Sequence, residues 1–550
     1  MALPKVAILG SCFLILLATI VGSMVYFSHQ KDKGVTNDVA NTSTSLKAIQ
    51  HVCQNTYYQE TCVKTISKST NSSDSYEIVK AAFRLAVTEI GNAIHKSVTL
   101  QKAAKEPKTI EAFQVCQKLL NDSIDDLNKT CFELEAFHFS DLNKFVDDLQ
   151  TWLAGAQTYQ QTCLDVFEDT KNEKMKKLLK KGSELTSNAL ALVNEISKIL
   201  SSSEAKGFTR KLLSSKNIKF RFRRLLEANP WDIKPNLTVA QDGSGEFKTI
   251  NEALSTVPLK SNETFVIYIK EGVYFEYVTI PKQMWHVIFI GDGPTKTRIS
   301  GNKSKGGGLG TYMTATLVVE GDHFMAKDIG VENTAGPHMH QAVAIRVTAD
   351  ESIFYNCQMD GYQDTLYVHN HRQFYRNCTI SGTIDFIFGN ARAVLQNCKL
   401  IIRKPLENQK LCMVTAQGRF AENQTSAIVL QNCQIIPDSD YPKLDESYKA
   451  FLGRPWKNFS KTLVLDSEID GVINPEGWAK WNDREHLETC WYGEFGNKGP
   501  GADLSRRVSW PGIKKINEEM ALEFTPDNFF TGDYWIRPSG VPYTPRRINI

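Results

Sequence analysis

Apolar residues recur at steps of three and four positions from about residue 46 to residue 200. Clear examples are the stripes in Val79–Ala93, Leu142–Tyr159 and Leu185–Ile199. An apolar stripe with this spacing lies on one face of an α-helix, and partner helices must cover it to exclude water. The pattern therefore predicts an N-terminal all-α domain, a bundle of about four helices over residues 45–205.

A different pattern begins near Trp231, where short runs of β-branched and aromatic residues are separated by glycine and asparagine. The runs Val266–Ile269, Val287–Ile290, Thr316–Val319 and Ala342–Ile345 are typical of strands. Amphipathic helical stripes nearly vanish in this part of the chain. The C-terminal part is therefore predicted to be all-β.

Asn-Cys pairs mark a repeat within this β region. They begin at Asn356, Asn377, Asn397 and Asn432, so the steps between them are 21, 20 and 35 residues. Self-similarity at a period of about 20 residues is the signature of a solenoid, in which each repeat forms one coil. Because the segments between the pairs are strand-like, the repeat predicts a parallel β-helix over residues 230–550.

Two aspartates stand in apolar, strand-like segments of consecutive repeats. Asp364 lies in Gly361–Leu366 and Asp385 lies in Gly382–Asn390, 21 residues later. Stacked strands are about 4.8 Å apart, so an offset of one coil would place the two carboxyl groups side by side. Burying a carboxylate is costly unless a partner stabilises it. Each aspartate alone is more simply interpreted as a turn or cap residue, but two in register favour a functional pair.

Chain length and composition limit the number of domains and the classes of function that fit the sequence. A chain of 550 residues is too long for one compact core, so at least two domains are expected. The net charge of +3 and the lack of a basic face interleaved with aromatic residues argue against nucleic-acid binding. The sequence contains no Cys-X-X-Cys, His-Glu-X-X-His or acidic calcium-loop motif, so neither a metal nor another cofactor is expected.

The N-terminus is typical of a protein that enters the secretory pathway. Val6–Phe27 comprises 22 uncharged, mainly apolar residues. Its length suits both a membrane anchor and a cleaved signal peptide, and the two alternatives stay open for residues 1–30. Ten Asn-X-Ser/Thr sequons support secretion and predict a glycoprotein. The expected location is extracellular, with a membrane-associated precursor in the secretory pathway.

Residues 206–229 are predicted to form an exposed linker. The same short motif, a dibasic pair followed by two leucines, occurs at Arg210–Leu213 and again at Arg223–Leu226. Paired basic residues in an exposed segment suit a processing protease. A solvated basic hinge would explain a single copy equally well, but two copies at a domain boundary favour cleavage, with the protease acting at Arg223–Leu226.

The cysteines of the helical region allow two disulfides. Cys53 and Cys62 are nine residues apart and could join a short helical hairpin. Cys116 and Cys163 lie on later helical segments and could staple two of them. Cys131 would then be left over. The sequence alone leaves this pairing open.

Motifs in both regions resemble known plant families. Cys116–Leu127 and Thr151–Cys163 resemble the plant invertase/pectin methylesterase inhibitor family, which implies a four-helix bundle with two disulfides. Residues 231–550 resemble the plant pectin methylesterases (pectinesterases). The motifs that carry this second resemblance are Gly243–Ile250, Gly272–Glu276, Gln341–Ala344, Gly361–Leu366, the strand around Asp385, Leu452–Trp456, Gly499–Ala502 and Arg507–Gly512.

The second resemblance implies an activity. A pectin methylesterase is a right-handed parallel β-helix that hydrolyses the methyl esters of cell-wall homogalacturonan to pectate and methanol. Pectin would then be the substrate, proteinaceous pectin methylesterase inhibitors would be partners, and the enzyme is expected to act as a monomer. The helical domain becomes a pro-region that inhibits or chaperones the catalytic domain until cleavage.

The resemblance also implies a role for each carboxylate. In the family, the arginine of the Leu-Gly-Arg-Pro-Trp motif lies beside the second aspartate, so Arg454 would keep Asp385 ionised as the nucleophile. Asp364 would remain protonated and act first as general acid and then as general base. A Ser-His pair is disfavoured because no serine occupies a Gly-X-Ser-X-Gly turn.

Four further side chains complete the predicted site. Gln363 and Gln341 are uncharged amide donors suited to an oxyanion hole, although a glutamine on a β-helix strand usually bonds to its neighbours in a ladder. Trp456 could be a core residue, but the resemblance favours contact with a sugar ring. Thr311 and Arg454 are assigned to substrate binding on the same basis.

Two other functions fit parts of the sequence. Paired carboxylates also cleave glycosidic bonds, so a glycosidase or lyase on the same scaffold is the nearest alternative. A lyase would need a calcium site and a basic catalytic residue, and the sequence does not combine them. A binding module with an inert β-helix is disfavoured because Gln341, Gln363, Asp364, Asp385 and Arg454 are all present.

Overall fold

A computed structural model describes residues 37–135, 142–168, 173–201, 234–442, 445–482 and 486–548. These residues fall into two compact units, one on each side of the gap at 202–233. The apolar stretch Val6–Phe27 and both dibasic segments of the linker lie outside the described residues. Within the described ranges, no helix is both long and apolar enough to cross a membrane.

The N-terminal unit is helical, as the apolar stripes predict. Its helices are α1 (Asn37–Cys53), α2 (Gln59–Ser69), α3 (Ser75–Ala103), α4 (Pro107–Glu135), α5 (Leu142–Asp165) and α6 (Glu173–Ser201).

The four long helices α3 to α6 pack around one apolar core. Phe83 of α3, Leu119 of α4, Leu153 of α5 and Leu190 of α6 are fully buried there, which confirms the predicted bundle. The structure contains both disulfides that the sequence allowed: Cys53–Cys62 joins α1 to α2, and Cys116–Cys163 joins α4 to α5. Cys131 carries a free, half-buried thiol.

The C-terminal unit is a parallel β-helix made of three sheets. Sheet A contains β1 (Leu237–Val239), β2 (Phe265–Ile269), β5 (Val287–Gly291), β8 (Met325–Lys327), β11 (Ser352–Tyr355), β14 (Arg372–Arg376), β17 (Arg392–Gln396), β20 (Ala427–Gln431), β23 (Lys461–Leu465), β25 (Trp491–Phe495) and β26 (Ile513–Lys515). Sheet B contains β3 (Gly272–Phe275), β6 (Thr297–Gly301), β9 (Gly330–Asn333), β12 (Gln358–Asp360), β15 (Thr379–Gly382), β18 (Lys399–Ile402), β21 (Gln434–Pro437) and β24 (Glu468–Ile469). Sheet C contains β4 (Val278–Ile280), β7 (Leu317–Val319), β10 (Ile345–Val347), β13 (Leu366–Val368), β16 (Ile387–Gly389), β19 (Leu411–Gln417) and β22 (Lys449–Gly453).

The turn from sheet A to sheet B explains the Asn-Cys repeat. Asn356, Asn377, Asn397 and Asn432 all have φ between 52° and 57°, in the left-handed region that asparagine tolerates better than most residues. The cysteine that follows each of them is buried inside the coil. The long step before Asn432 arises because that coil has extended loops before and after β19. The predicted solenoid is therefore confirmed, and its repeat is a conformational requirement of one turn.

The interior of the β-helix is a stack of apolar and aromatic side chains. Phe289, Phe324, Phe354 and Tyr375 form one such stack, with the rings of Phe354 and Tyr375 parallel and 5.1 Å apart. A short helix, α7 (Ile250–Leu254), contributes three buried residues to this core next to the first coil. The stack holds successive coils in register, which fixes the spacing of groups on the outside of sheet C.

Regularity fades towards the C-terminus because the chain turns back onto the outer face of sheet A. Two short helices there are α8 (Glu518–Glu523) and α9 (Pro526–Phe530). Phe530 and Trp535 pack against sheet A residues such as Phe374. This segment covers sheet A, and the site described next lies at the other side of the coils, where the turns from sheet B enter sheet C.

Candidate active site

The structure brings the two predicted aspartates together. Asp364 stands two residues before β13 and Asp385 two residues before β16, and these strands pair in parallel with Leu366 opposite Ile387. The backbone N–H of Asp364 donates to the carbonyl of Ile384 at 3.0 Å, which links the two turns directly. The two aspartates therefore occupy equivalent positions in adjacent coils, with their backbones about one strand spacing of 4.8 Å apart.

Both aspartates have an unusual backbone conformation. Their φ angles are 66° and 53°, and their exposures are only 8% and 4%. Aspartate and asparagine enter this left-handed region at low cost, because their short polar side chains can bond locally. Asparagine is therefore the replacement that tests the charge at these positions without straining the turn.

Arg454 holds Asp385 through a bidentate contact. Its Nε donates to Oδ1 at 2.8 Å and its Nη2 donates to Oδ2 at 2.6 Å. The guanidinium also lies over the ring of Trp481, 4.4 Å from the centroid. The preceding Gly453 leaves room for close strand contact, since a Cβ there would come within 2.1 Å of the Thr415 hydroxyl oxygen. The carboxylate of Asp385 and the ring of Trp481 thus hold the guanidinium, and the glycine lets the strand that carries it pack closely.

The surroundings of the two carboxyl groups shift their pKa values to different extents. Burial raises the pKa of Asp364, and the charge of Asp385 adds to this effect, so the pKa of Asp364 lies well above its usual range despite opposing effects of Arg454 and Lys305. Burial also raises the pKa of Asp385, but the guanidinium of Arg454 acts against it. This difference favours a pair that carries its proton on Asp364 and its charge on Asp385.

The two glutamines lie on the turns that precede β10 and β13. Gln341 and Gln363 are half-buried, and the backbone N–H of Ala342 donates to the carbonyl of Gln363 at 3.1 Å. Neither amide side chain has a hydrogen-bond partner in the part of the chain that the structure describes. The amide donors are therefore unoccupied beside the carboxylate pair, and they do not form the ladder that is usual for glutamines on such strands.

Aromatic rings line the strands that follow the aspartates. Tyr367 and Phe388 each stand three residues after an aspartate, and their rings stack at 4.2 Å. Trp456 meets Phe388 edge-on at 6.0 Å, so it lies beside this pair and is half-buried. Thr311 is half-buried and begins a turn of 3₁₀ helix before β7, which lies three strands from β16, the strand of Phe388, along sheet C. The predicted substrate-binding residues therefore flank the carboxylates along one row of strands.

Four side chains of the site were not predicted from the sequence. Tyr367 and Phe388 had a usable signal, because each follows a predicted catalytic aspartate by three residues in a parallel register. The charge of Lys305, which precedes the glycine-rich loop Gly306–Gly310, lowers the pKa of Asp364. Trp481 covers Arg454 from a loop beyond β24. Neither loop residue belongs to the repeat, so the periodicity gave no signal for them.

Arg454→Ala is expected to lower kcat by about 100-fold or more, the effect of removing one charge-stabilising donor from an active site. Without the guanidinium the two carboxyls share a proton, and the acid limb of the pH–rate profile moves to higher pH. Trp456→Ala is expected to raise KM about tenfold with a smaller change in kcat, because the predicted contact of its ring with a sugar would be equally strong in the ground and transition states.

Initial rates of methanol release over a range of substrate concentrations and pH values separate these outcomes. Arg454→Lys is the matched control, since it keeps the charge and loses only the bidentate geometry, and it should retain more kcat than Arg454→Ala. A larger kcat loss for Trp456→Ala than for Arg454→Ala would mean that Arg454 has only a structural role.

Comparisons with known proteins agree with this geometry. Residues 236–533 match the family model for pectinesterase, and residues 47–192 match that for the plant invertase/pectin methylesterase inhibitor family. Two relatives from Arabidopsis thaliana are a probable pectinesterase/pectinesterase inhibitor 58, 47% identical over 91% of this chain and 90% of its own length, and a probable pectinesterase/pectinesterase inhibitor 23, 44% identical over 98% of both.

A solved structure supports the same family assignment for the C-terminal β-helix. Pectin methylesterase from carrot aligns with a TM-score of 0.56 and 46% identity, over 57% of this chain and 98% of that protein. The helical domain, the right-handed β-helix and the match over nearly the whole length leave one assignment. The chain belongs to the pectinesterase family, in the form that carries an inhibitor-like helical domain before its pectin methylesterase β-helix.

Proposed function

We propose that Asp385 and Asp364 together hydrolyse the methyl esters of cell-wall homogalacturonan. The observation that carries this proposal is the bidentate contact of Arg454 with Asp385, beside a second buried carboxyl group that has no such partner among the described residues. A charged carboxylate next to a protonated one supplies both a nucleophile and a proton source within one strand spacing.

In the first half of the reaction Asp385 attacks the C6 carbonyl carbon of a methyl-esterified galacturonate. The carbonyl oxygen becomes an oxyanion, and the amide groups of Gln341 and Gln363 donate hydrogen bonds to it. When the tetrahedral intermediate collapses, the C–O bond to the methoxy group breaks and Asp364 gives its proton to that oxygen. Methanol leaves, and an acyl anhydride joins the sugar carboxyl to Asp385.

In the second half Asp364 acts as general base. It takes a proton from a water molecule as the water oxygen attacks the acyl carbon. Cleavage of the anhydride regenerates the Asp385 carboxylate and releases the free acid of the sugar unit. Asp364 again carries a proton, so the pair returns to its starting state. Thr311, Arg454 and Trp456 contact the sugar and place its ester over Asp385.

The proposal includes the organisation of the whole chain. Residues 1–30 direct it to the secretory pathway, as signal peptide or anchor, and the mature enzyme works as a glycosylated monomer in the cell wall. The inhibitor-like bundle at 45–205 and the linker at 206–229 form the pro-region, and 230–550 is the catalytic β-helix. Support comes from the separate inhibitor and pectinesterase matches and from the paired basic residues in the linker. Proteinaceous inhibitors of pectin methylesterases are the expected protein partners.

The reaction products test this function against a glycosidase or lyase on the same scaffold. Methyl-esterified homogalacturonan should yield methanol in proportion to the fall in ester content, with no new reducing ends and no unsaturated sugars. The measurement is parallel quantification of methanol, reducing ends and ultraviolet absorbance in one reaction. Chain cleavage without methanol release would favour the paired carboxylates of a glycosidase.

A further inference from the structure

A depression of about 490 Å³ lies where the turns from sheet B enter sheet C. Its polar lining comes from His338, Tyr362, Arg403, Lys404, Glu407, Asn408 and Asp440.

The lengths of the turns explain why the depression forms there. The turns that lead into β13 and β16 are only five and four residues long, whereas those that lead into β10, β19 and β22 have 11, 8 and 11 residues. Two short turns between longer ones leave a hollow. Tyr362, which lines the hollow, lies only two residues before Asp364, so the hollow and the first carboxyl group of the pair share the short turn that leads into β13.

Arg403 is held in this hollow by neutral groups. Its guanidinium lies 3.9 Å from the centroid of the Tyr362 ring, Nη2 donates to the phenol oxygen at 2.8 Å, and Nη1 donates to the carbonyl of Gly361 at 2.9 Å. These bonds leave Nε–H and one N–H on each terminal nitrogen unused. Across the described ranges, no carboxylate forms an ion pair with Arg403 or Lys404.

The acidic residues of the lining do not neutralise this group. Glu407 and Asp440 are both exposed to solvent, where water screens their charges, whereas Arg403 is half-buried against an aromatic ring. Lys404 adds a second positive charge next to Arg403, and the ring of His338, which also lines the depression, offers a further N–H donor. A planar, oriented guanidinium with free N–H groups matches the two oxygens of a carboxylate.

We propose that Arg403, supported by Lys404 and Tyr362, is a binding subsite for the free carboxylate of a galacturonate unit in the same chain as the ester that is being hydrolysed. This inference rests on the proposed function. A methyl ester in this subsite cannot pair with the guanidinium, so a chain that presents a free carboxylate there binds better. The subsite therefore discriminates between pectin chains by the esterification of a unit that does not react.

The test compares two galacturonate oligomers of equal length, one fully methyl-esterified and one with free acids at alternate units. Arg403→Gln is expected to lower kcat/KM for methanol release about tenfold on the partly free oligomer and less than threefold on the fully esterified one. Lys404→Gln, which keeps the arginine–tyrosine contact, should give a smaller loss with the same selectivity. Lys399→Gln is the matched control, because it removes an exposed lysine at the start of β18, the strand that Arg403 directly follows.

Binding of fully de-esterified oligogalacturonate, followed by calorimetry, gives a readout that needs no turnover. The Kd should rise about tenfold in Arg403→Gln and stay unchanged in Lys399→Gln, with thermal unfolding used to verify that both fold. Equal losses on the two oligomers, or an unchanged Kd, would overturn the subsite. Absence of methanol release by the unmodified protein would instead contradict the proposed function, and the calorimetry would still report on Arg403.

Discussion

Asp385→Asn is expected to abolish turnover while the protein stays folded and continues to bind pectin. The substitution keeps the shape of the side chain and removes only the charge that attacks the ester. Loss of a nucleophile lowers kcat by about 10⁴-fold or more in enzymes of comparable design. Asparagine also tolerates the φ of 53° at this position, and its amide oxygen can still accept one hydrogen bond from Arg454. The backbone therefore has no reason to move.

The measurement combines methanol release with binding of de-esterified oligogalacturonate. Turnover should fall to background, and the Kd should stay within about threefold of the unmodified protein, since the proposed sugar contacts remain. Asp328→Asn is the matched control: Asp328 also has a positive φ, 58°, and lies in the β-helix on the turn that leads into sheet B. Near-normal activity of folded Asp385→Asn would disprove the nucleophile assignment.

A chain that cannot be cleaved in its linker is expected to be nearly inactive. The helical domain belongs to an inhibitor family of this class of enzyme, and the predicted short linker would hold it at an effective concentration in the millimolar range. Even a weak inhibitory contact would then be almost fully occupied. Cleavage after Leu226, or less completely after Leu213, would remove this advantage, so the fragment that starts near Glu227 should be at least about 100-fold more active than the intact chain.

The variant for this experiment replaces Arg210, Lys211, Arg223 and Arg224 with alanine, and the uncut chain is purified and assayed for methanol release. The C-terminal fragment that starts near Glu227 is the reference. Adding the separate helical domain in trans should inhibit only at much higher concentration than the tethered domain does. If the uncut chain works as fast as the fragment, the pro-region serves folding or targeting and does not inhibit.

Much of the fold follows from local rules in the sequence. The helical stripes predict α3 to α6 because each long helix must bury one face, and the Asn-Cys pairs predict the coils because one turn needs a left-handed residue. Adjacent coils then place Asp364 beside Asp385 without further information. The disulfide pairing was left open by the sequence, since spacing alone does not show which helices are neighbours.

Contacts between residues in loops could not be predicted from the repeat period. Arg454 lies 69 residues from Asp385 in the sequence, and only the family resemblance connected the two. Lys305, Trp481 and Arg403 also act from loops whose conformation depends on how several coils pack. The depression at Arg403 arises because the turns between the strands differ in length. These lengths can be counted only when the strand ends are known. The repeat therefore predicted the two carboxyl groups that the structure brings together, whereas it gave no signal for loop side chains such as Lys305, Trp481 and Arg403.

Trapping of an acyl-enzyme tests the nucleophile assignment most directly. Asp364→Asn removes both the general acid and the general base, and an activated aryl ester of an oligogalacturonate has a leaving group that needs no proton. Asp385 should then still be acylated, whereas hydrolysis of the anhydride should be slow.

After rapid acid quench, we expect a burst of about one equivalent of phenol per protein molecule and a mass increase that maps to the peptide containing Asp385. The double variant Asp364→Asn/Asp385→Asn should show neither signal. A mass increase on another residue, or a burst that persists in the double variant, would contradict Asp385 as the nucleophile.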